Sequence, residues 1–264
     1  MSFKIDAAGD LHEQSFHQHV DATHRIEDRQ DTAHCHCTVV TKAGVVFVSD
    51  LGADRIYKYK LDQERGLMKL ISQNWICLPE GSGPRHMAMD TGERFLYVSC
   101  ELSSQVMVLR IRNTSSTINF PTATQNDNTV PDDFPTLELV QIIDTLPRDF
   151  ISTNQNTHNV ADIHLSTGDW ADRYLYVSNR AHDSITEYRI TDSKTGILTL
   201  IGRTWTRGRV PRNFLMTPCG RWCLVANQDS DSIVIFQVNH ETGKLVYTGV
   251  EASCPSPVVL QTFP

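Results

Sequence analysis

The chain has 264 residues, of which 40% are hydrophobic and 21% are charged, a composition that is ordinary for a folded globular protein. Its formal net charge of −7 argues against nucleic acid or an anionic membrane as the main partner, although a local arginine cluster can still bind a small anion. The N-terminus has no apolar signal region, and no run of about 18 apolar residues occurs, so a cytoplasmic location is expected.

The first motif along the chain is "AHCHC", which contains His34, Cys35, His36 and Cys37. Strand alternation predicts the two histidines on one face and the two cysteines on the other. One such pair rarely makes a closed zinc site, so no metal is expected here. The seven cysteines include no C-x-x-C pair, and all are expected to be reduced.

Short strand-like runs broken by Gly, Asp and Asn dominate the rest of the chain, and they contain a repeat. Each unit is a strand, a polar turn of about five residues and a second strand. The four copies are "VVFVSDLGADRIYKYKL", "RFLYVSCELSSQVMVLRI", "RYLYVSNRAHDSITEYRI" and "RWCLVANQDSDSIVIFQV". They align on a reference column made of Asp50, Cys100, Asn179 and Asn227.

The spacing of this column predicts the architecture. Successive members are 50, 79 and 48 residues apart. The long middle interval contains a Pro/Asn/Thr-rich stretch, residues 113–135, which we interpret as a surface insertion. Without it the period is about 48 residues, which is typical of a β-propeller with one four-stranded blade per repeat. The expected fold is therefore all-β, as a single propeller domain over residues 1–264.

Inner strands are expected to start near His36, Arg85, Ile163 and Arg212. In a propeller, the start of the inner strand and the end of the second strand lie on the same face, around an axial channel. Seven polar residues are thereby predicted at one mouth of that channel: His36, Arg85, His86, Glu101, His164, Arg180 and Arg212.

A structural role is the alternative for several of these residues. Asp50, Asp54, Asp183 and Asp231 fit turn-capping carboxylates. His86 and His164 could be buried histidines with satisfied hydrogen bonds. Arg85, Glu101 and Arg180 could form a structural ion-pair lock, because buried cations need anionic partners.

Several motifs in order resemble the lactonase family of seven-bladed propellers, from about Arg29 to the C-terminus. This family includes propeller-type 6-phosphogluconolactonases and carboxy-cis,cis-muconate cyclases. The motifs are "AHCH" with "VSDLGADRIYKY", "GSGPRHMAMD" with "LYVSCEL", "ADIHLS" with "RYLYVSNRAHDSI", and "VPRNFLMTPCGRWCLVANQDSDSI".

The resemblance implies hydrolysis of a sugar lactone without a cofactor. The substrate that it favours is 6-phosphogluconolactone of the pentose phosphate pathway. The resemblance places the catalytic residues at His36, Arg85, Glu101 and Arg180; the repeat adds His86, His164 and Arg212 as substrate-binding residues. The arginines suit a carbonyl oxygen and a phosphate, and Glu101 or His36 could be the base on water. The chain has no G-x-S-x-G motif, which argues against an acyl-enzyme.

Two other functions remain open at this point: a muconate-type lactonising cyclase and a non-catalytic binding propeller. The binding propeller is considered because family members have roughly a hundred residues before the histidine motif, whereas only 33 residues precede His34 here. Four full repeats plus fragments, about five blades' worth of chain, lead us to expect an incomplete ring. A gapped ring exposes strand edges, so weak closure and low activity of this chain are expected.

Overall fold

The computed structural model describes residues 1–112, 134–151 and 159–262. Within these ranges the chain forms strands and two short 3-10 helices, Gly168–Trp170 and Gln228–Ser230, and no α-helix. No helix there is long and apolar enough to cross a membrane. Most of the predicted insertion, residues 113–133, lies outside the described residues.

The strands form four successive four-stranded antiparallel sheets, preceded by a two-stranded hairpin. Each sheet is a meander, in which every strand pairs with the next one along the chain. This is the blade arrangement that the repeat predicted, and the all-β propeller prediction is confirmed. The hairpin is β1 (Ser2–Ile5) and β2 (Leu11–Ser15); the first sheet is β3 (Cys35–Val40), β4 (Val45–Asp50), β5 (Arg55–Asp62) and β6 (Leu67–Cys77); the second is β7 (Pro84–Met89), β8 (Phe95–Cys100), β9 (Gln105–Arg112) and β10 (Thr136–Asp144); the third is β11 (Val160–Leu165), β12 (Tyr174–Asn179), β13 (Ser184–Ile190) and β14 (Leu198–Trp205); the fourth is β15 (Pro211–Met216), β16 (Trp222–Asn227), β17 (Ser232–Val238) and β18 (Leu245–Ser253).

The reference column marks strand ends. Asp50, Cys100, Asn179 and Asn227 are the last residues of β4, β8, β12 and β16. The inner strands β3, β7 and β15 begin one residue before the predicted positions, but β11 begins at Val160 rather than near Ile163. The repeat therefore located the second strand of every sheet more accurately than the first.

The hydrophobic core lies between neighbouring sheets. Alternate residues of β8 face opposite ways: Leu96 and Val98 pack with the first sheet, whereas Phe95 and Tyr97 pack with the third. All six residues of β8 are consequently buried. Burying one such side chain contributes about 1.5–3 kcal/mol, so these interfaces hold the sheets in fixed relative positions.

Aspartates in the polar turns tie one sheet to the loop that leads into the next. Asp54 adopts a positive φ of 50°, and its carboxylate accepts hydrogen bonds from the N–H groups of Gly81 and Gly83, each at 2.7 Å. Asp183 and Asp231 have the same backbone conformation and accept from Val210 N–H and Ser256 N–H. The predicted turn-capping role is confirmed at these positions.

Each inner strand begins with a β-bulge. Pro84 pairs with Cys100 and Met87 with Val98, so Arg85 and His86 together face Ser99. The Ser99 hydroxyl accepts the N–H of His86 at 3.1 Å, in place of a ladder hydrogen bond. Comparable irregularities open β3, β11 and β15. Bulges re-aim side chains next to functional sites, and the bulge of β7 directs Arg85 toward Glu101.

Candidate active site

Glu101 is the centre of a buried ion cluster. It is the first residue after β8, and only 2% of it is exposed. One carboxylate oxygen, Oε2, lies 2.8 Å from Nε of Arg85. The other, Oε1, lies 2.6 Å from Nη2 of Arg29 and 2.9 Å from Nη2 of Arg180. Three guanidinium groups thus surround one carboxylate. Those of Arg85 and Arg180 belong to the ion-pair lock considered from the sequence, and that of Arg29 does not.

The electrostatics of this cluster keep Glu101 ionised. Burial alone would raise its pKa, but Arg180, Arg29 and Arg85 outweigh burial and lower the pKa of Glu101 to about 2. Burial, together with Arg180 and Arg212, lowers the pKa of Arg85 to about 10, against the opposing effect of Glu101. At neutral pH both groups are charged, and the cluster has more cations than anions.

A second network is built on Asp162, which is 2% exposed. Its Oδ1 lies 2.6 Å from Nδ1 of His86, and its Oδ2 lies 3.0 Å from Nε2 of His164. Asn213 donates to the same Oδ2 at 2.5 Å. Burial opposes ionisation, but His164 and His86 lower the pKa of Asp162 well below its usual range. The carboxylate joins the inner strands of three sheets.

The two networks meet at His86 and Arg85. Nη1 of Arg85 lies 3.2 Å from Nε2 of His86 and donates to the carbonyl oxygen of Ala161 at 2.6 Å. Because a guanidinium only donates, Nε2 of His86 accepts, and its Nδ1–H then donates to Asp162. Both ring nitrogens of His86 are therefore engaged.

His36 occupies a more open position beside these groups. Its ring is exposed and meets the His86 ring edge-on at a centroid separation of 5.0 Å. Partial enclosure by the protein, then the charges of Arg85 and His86, lower the pKa of His36 to about 4. His36 is therefore a neutral imidazole at neutral pH.

A cavity of about 640 Å³ lies along the inner strands β7 and β11 and the turn of residues 166–173, next to His86 and Asp162 of the second network. Apolar residues of β7 and β11, such as Met87 and Ile163, line it together with polar residues. This is the size of a small-molecule site. The polar lining includes Cys37, His86, Asp162, His164 and Asn213.

Unlike the three arginines around Glu101, the side chain of Arg212 has no ion pair or hydrogen bond to any residue in the described ranges. It is half-buried at the bulge of β15 and contributes to the pKa shift of Arg85. A cation held near other cations without a partner is suited to an anionic ligand.

The structure corrects the alignment of the inner strands. The turns between the first two strands of each sheet are residues 41–44, 90–94, 166–173 and 217–221, with lengths of four, five, eight and five residues. In the strand pairing His36, Arg85 and Arg212 are equivalent, and a second set is Cys37, His86, Asp162 and Asn213. His164 lies two residues after Asp162 and is therefore not the equivalent of His86.

The same bulge overturns the alternation expected for "AHCHC". Cys35 pairs with Asp50 and Cys37 with Ser49, which are consecutive residues of β4. The two cysteines therefore point to opposite faces of the strand, not the same face, because the bulge at His36 inserts an unpaired residue.

Two important residues were missed by sequence reasoning. Arg29 lies in the segment before the first sheet, outside the repeats, so no repeat column could place it. Asp162 stands in the motif "ADIH", but nothing in that motif distinguishes it from other aspartates of the chain. Its role follows from its burial and its partners, which the sequence does not reveal.

The comparison with protein families agrees with this geometry. The model of the family described as "Lactonase, 7-bladed beta-propeller" matches residues 1–262 of the chain. The chain belongs to this lactonase family.

Two curated relatives in the lactonase family are 6-phosphogluconolactonases. The one from Bacillus subtilis is 29% identical over 235 residues, covering 89% of this chain and 58% of the relative. The one from Formosa agariphila is 34% identical over 224 residues, covering 83% of this chain and 55% of the relative. The chain thus spans less than two thirds of the length of these relatives.

A solved structure of the same architecture is the periplasmic gluconolactonase of Pseudomonas aeruginosa. It superposes with a TM-score of 0.79 at 27% identity, over 98% of this chain and 64% of that one. Lactonase-family relatives thus include proteins named for a phosphorylated and for an unphosphorylated sugar lactone.

Proposed function

We propose that this protein hydrolyses a sugar lactone, and that 6-phosphogluconolactone, an intermediate of the pentose phosphate pathway, is its preferred substrate. The observation that carries the proposal is the excess of cations around Glu101. Arg29, Arg85 and Arg180 share the single carboxylate of Glu101, and Arg212 stands beside them. In a chain of net charge −7, such a local concentration of arginine favours a compact anionic ligand.

The arginines are suited to two tasks. Guanidinium groups bind phosphate in a bidentate manner, and they stabilise the oxyanion that develops when water attacks a lactone carbonyl. Nε and Nη2 of Arg180 have no hydrogen-bond partner of good geometry, although Nη2 is within ion-pair distance of Glu101. We assign Arg180 and Arg85 to the carbonyl oxygen and Arg212 to the phosphate.

His36 is the better candidate for the base on water. Glu101 is ion-paired through both oxygens, and its pKa of about 2 makes it a weak base. His36 is neutral at neutral pH, faces solvent and can accept a proton on its ring. We assign Glu101 to holding the arginines in place, and His86 and His164 to shaping the cavity beneath them.

In this mechanism water attacks the lactone carbonyl while His36 takes its proton. The negative charge that forms on the carbonyl oxygen faces Arg85 and Arg180. The intermediate collapses as the ring oxygen leaves, and the proton held by His36 neutralises that oxygen. The product is the open-chain acid.

The test measures kcat/KM for 6-phosphogluconolactone and for the unphosphorylated gluconolactone on the same preparation. Arg212→Ala is expected to reduce kcat/KM about 10- to 100-fold for the phosphorylated lactone, on the scale of one charge-assisted hydrogen bond, and much less for the other. Arg209→Ala is the matched control, since Arg209 is exposed and donates to the backbone carbonyl of Asp229 in the 3-10 helix between β16 and β17.

No turnover of either lactone by the folded protein would contradict the proposal and favour a binding propeller. Equal loss on both lactones in Arg212→Ala would contradict only the assignment of the phosphate. The cytoplasmic location and the single-domain organisation expected from the sequence stay predictions.

A further inference from the structure

Three side chains of metal-ligand type meet at one end of the first sheet, apart from the ion cluster of Glu101. Nδ1 of His19 lies 2.7 Å from Oδ2 of Asp50 and 2.9 Å from Sγ of Cys35. The Cys35 sulfur lies 3.6 Å from the same Oδ2. One nitrogen, one sulfur and one oxygen ligand atom therefore lie within 4.8 Å of one another.

Strand pairing brings two of these groups together. Cys35 is the first residue of β3 and pairs directly with Asp50, the last residue of β4. His19 comes from the segment between the hairpin and the first sheet, 16 residues earlier in sequence than Cys35. Because the bulge at His36 turns Cys35 away from Cys37, the sulfur faces His19 rather than the axial cavity.

The neighbours of the cluster fix its orientation. Oδ1 of Asp50 accepts the N–H groups of His34 and Gly52, at 2.8 and 3.1 Å, so Oδ2 is left for His19 and Cys35. Nε2 of His19 lies 2.5 Å from the hydroxyl of Tyr59. Metal-bound histidines commonly have such a partner on their second nitrogen, which sets the tautomer.

We propose that His19, Cys35 and Asp50 bind a divalent transition metal, with Zn²⁺ as the best match. A thiolate and an imidazole select zinc-like ions over Ca²⁺ and Mg²⁺, which prefer oxygen ligands. Ligand atoms around tetrahedral zinc are about 3.3–3.8 Å apart at bond lengths of 2.0–2.3 Å. The Cys35–Asp50 separation fits this range, and a small outward shift of the other two atoms suffices.

Binding releases the thiol proton of Cys35 to solvent, and the neutral imidazole of His19 coordinates through Nδ1 with its single proton on Nε2. Nε2–H of His19 then donates to Tyr59. Cys35 is exposed, so water can complete the coordination. The metal would fasten the segment around His19 to the first sheet, one residue from His36.

Titration of the purified, reduced protein with Co²⁺ tests the proposal, because a thiolate ligand gives a charge-transfer band in the near ultraviolet. One Co²⁺ per chain with this band is expected, and Zn²⁺ should displace it. Cys35→Ser should abolish the band, and Cys77→Ser, which alters another exposed cysteine, should retain it. Zn²⁺ should raise the Tm of the wild type and of Cys77→Ser, but not of Cys35→Ser.

His19→Ala separates this site from chelation by the neighbouring histidines of "AHCHC". The proposal requires at least a tenfold loss of Co²⁺ affinity in His19→Ala. An unchanged affinity would overturn it, as would a band that persists in Cys35→Ser or its absence from the wild type. Circular dichroism of the metal-free variants checks that each is folded.

Discussion

The carboxylate of Glu101 and the guanidinium of Arg85 lie 2.8 Å apart, and both side chains are almost fully buried. Glu101 follows the end of β8, and Arg85 lies in the bulge of the neighbouring strand β7. Two further arginines reach the same carboxylate from outside this sheet. Glu101 is therefore the point at which three parts of the chain are joined by charge.

The first prediction separates catalysis from stability at this pair. Arg85→Ala and Glu101→Gln should each reduce lactone turnover by about 10²-fold or more, the scale of one lost electrostatic contact. Glu101→Gln should also lower the free energy of unfolding by about 3–5 kcal/mol, because it leaves buried guanidinium groups unpaired. Arg85→Ala should cost less, since Glu101 keeps two partners. Denaturant unfolding and steady-state kinetics measure both effects.

Arg94→Ala is the control for that experiment, because Arg94 pairs with Asp90 at the opposite end of the same sheet. It should leave turnover unchanged. If both site variants keep full activity while their unfolding midpoints fall, the ion cluster is a structural lock and nothing more.

A second prediction concerns acid. The pKa of Glu101 is about 2 in the folded protein, below its ordinary value of 4.5. The ionised carboxylate therefore stabilises the fold at pH above about 4.5, and this contribution is lost as the pH falls toward 2. Unfolding free energies measured between pH 6 and 2.5 should decline less steeply in Glu101→Gln than in the wild type. Parallel curves would show that Glu101 does not carry the effect.

The third prediction concerns the proposed base. His36 should titrate with a pKa near 4 by NMR, and the acid limb of kcat/KM should follow the same value. Removing the positive charge of Arg85 in Arg85→Ala should move the NMR value upward, while enclosure still keeps it below 6.5. His36→Asn assigns the resonance. A wild-type value near 6.5 would contradict the proposed environment of His36.

A fourth prediction tests Asp162 as a positioning residue. Asp162→Asn should disturb both His86 and His164, because the amide cannot accept all the hydrogen bonds of the carboxylate. We expect a loss of about 1–3 kcal/mol in stability and a lower kcat with a smaller change in KM. Asp169→Asn, at an exposed position in the turn of the same sheet, is the matched control and should change neither.

The fifth prediction addresses the links between sheets. Asp54→Ala should destabilise the fold by about 2–3 kcal/mol, since the N–H groups of Gly81 and Gly83 would lose a buried acceptor. Asp231→Ala should cost less, because Asp231 is exposed and caps one N–H group. Thermal unfolding of the two variants measures this order. Equal losses would indicate that left-handed backbone geometry, rather than capping, dominates.

The sequence by itself determined the ends of the second strands and the turns that follow them. The run "FLYVSC" is apolar on both faces because the second sheet packs between the first and the third, so the repeat survives at those positions. Glu101 and Arg180 follow these strands immediately, so the repeat predicted that they lie at the same end of their sheets.

Only the tertiary structure decided the inner strands and their partners. Turns between strands tolerate changes in length, so the eight-residue turn 166–173 displaced the start of β11 from its predicted position near Ile163 without disturbing the packing. The bulge of β7 directs Arg85 to Glu101, and the bulge of β3 directs Cys35 toward His19. Each bulge adds one unpaired residue, which the two-residue alternation of a regular strand does not predict. Arg29 and Asp162 acquire their roles through contacts between segments far apart in sequence, and sequence spacing carries no information about such distances.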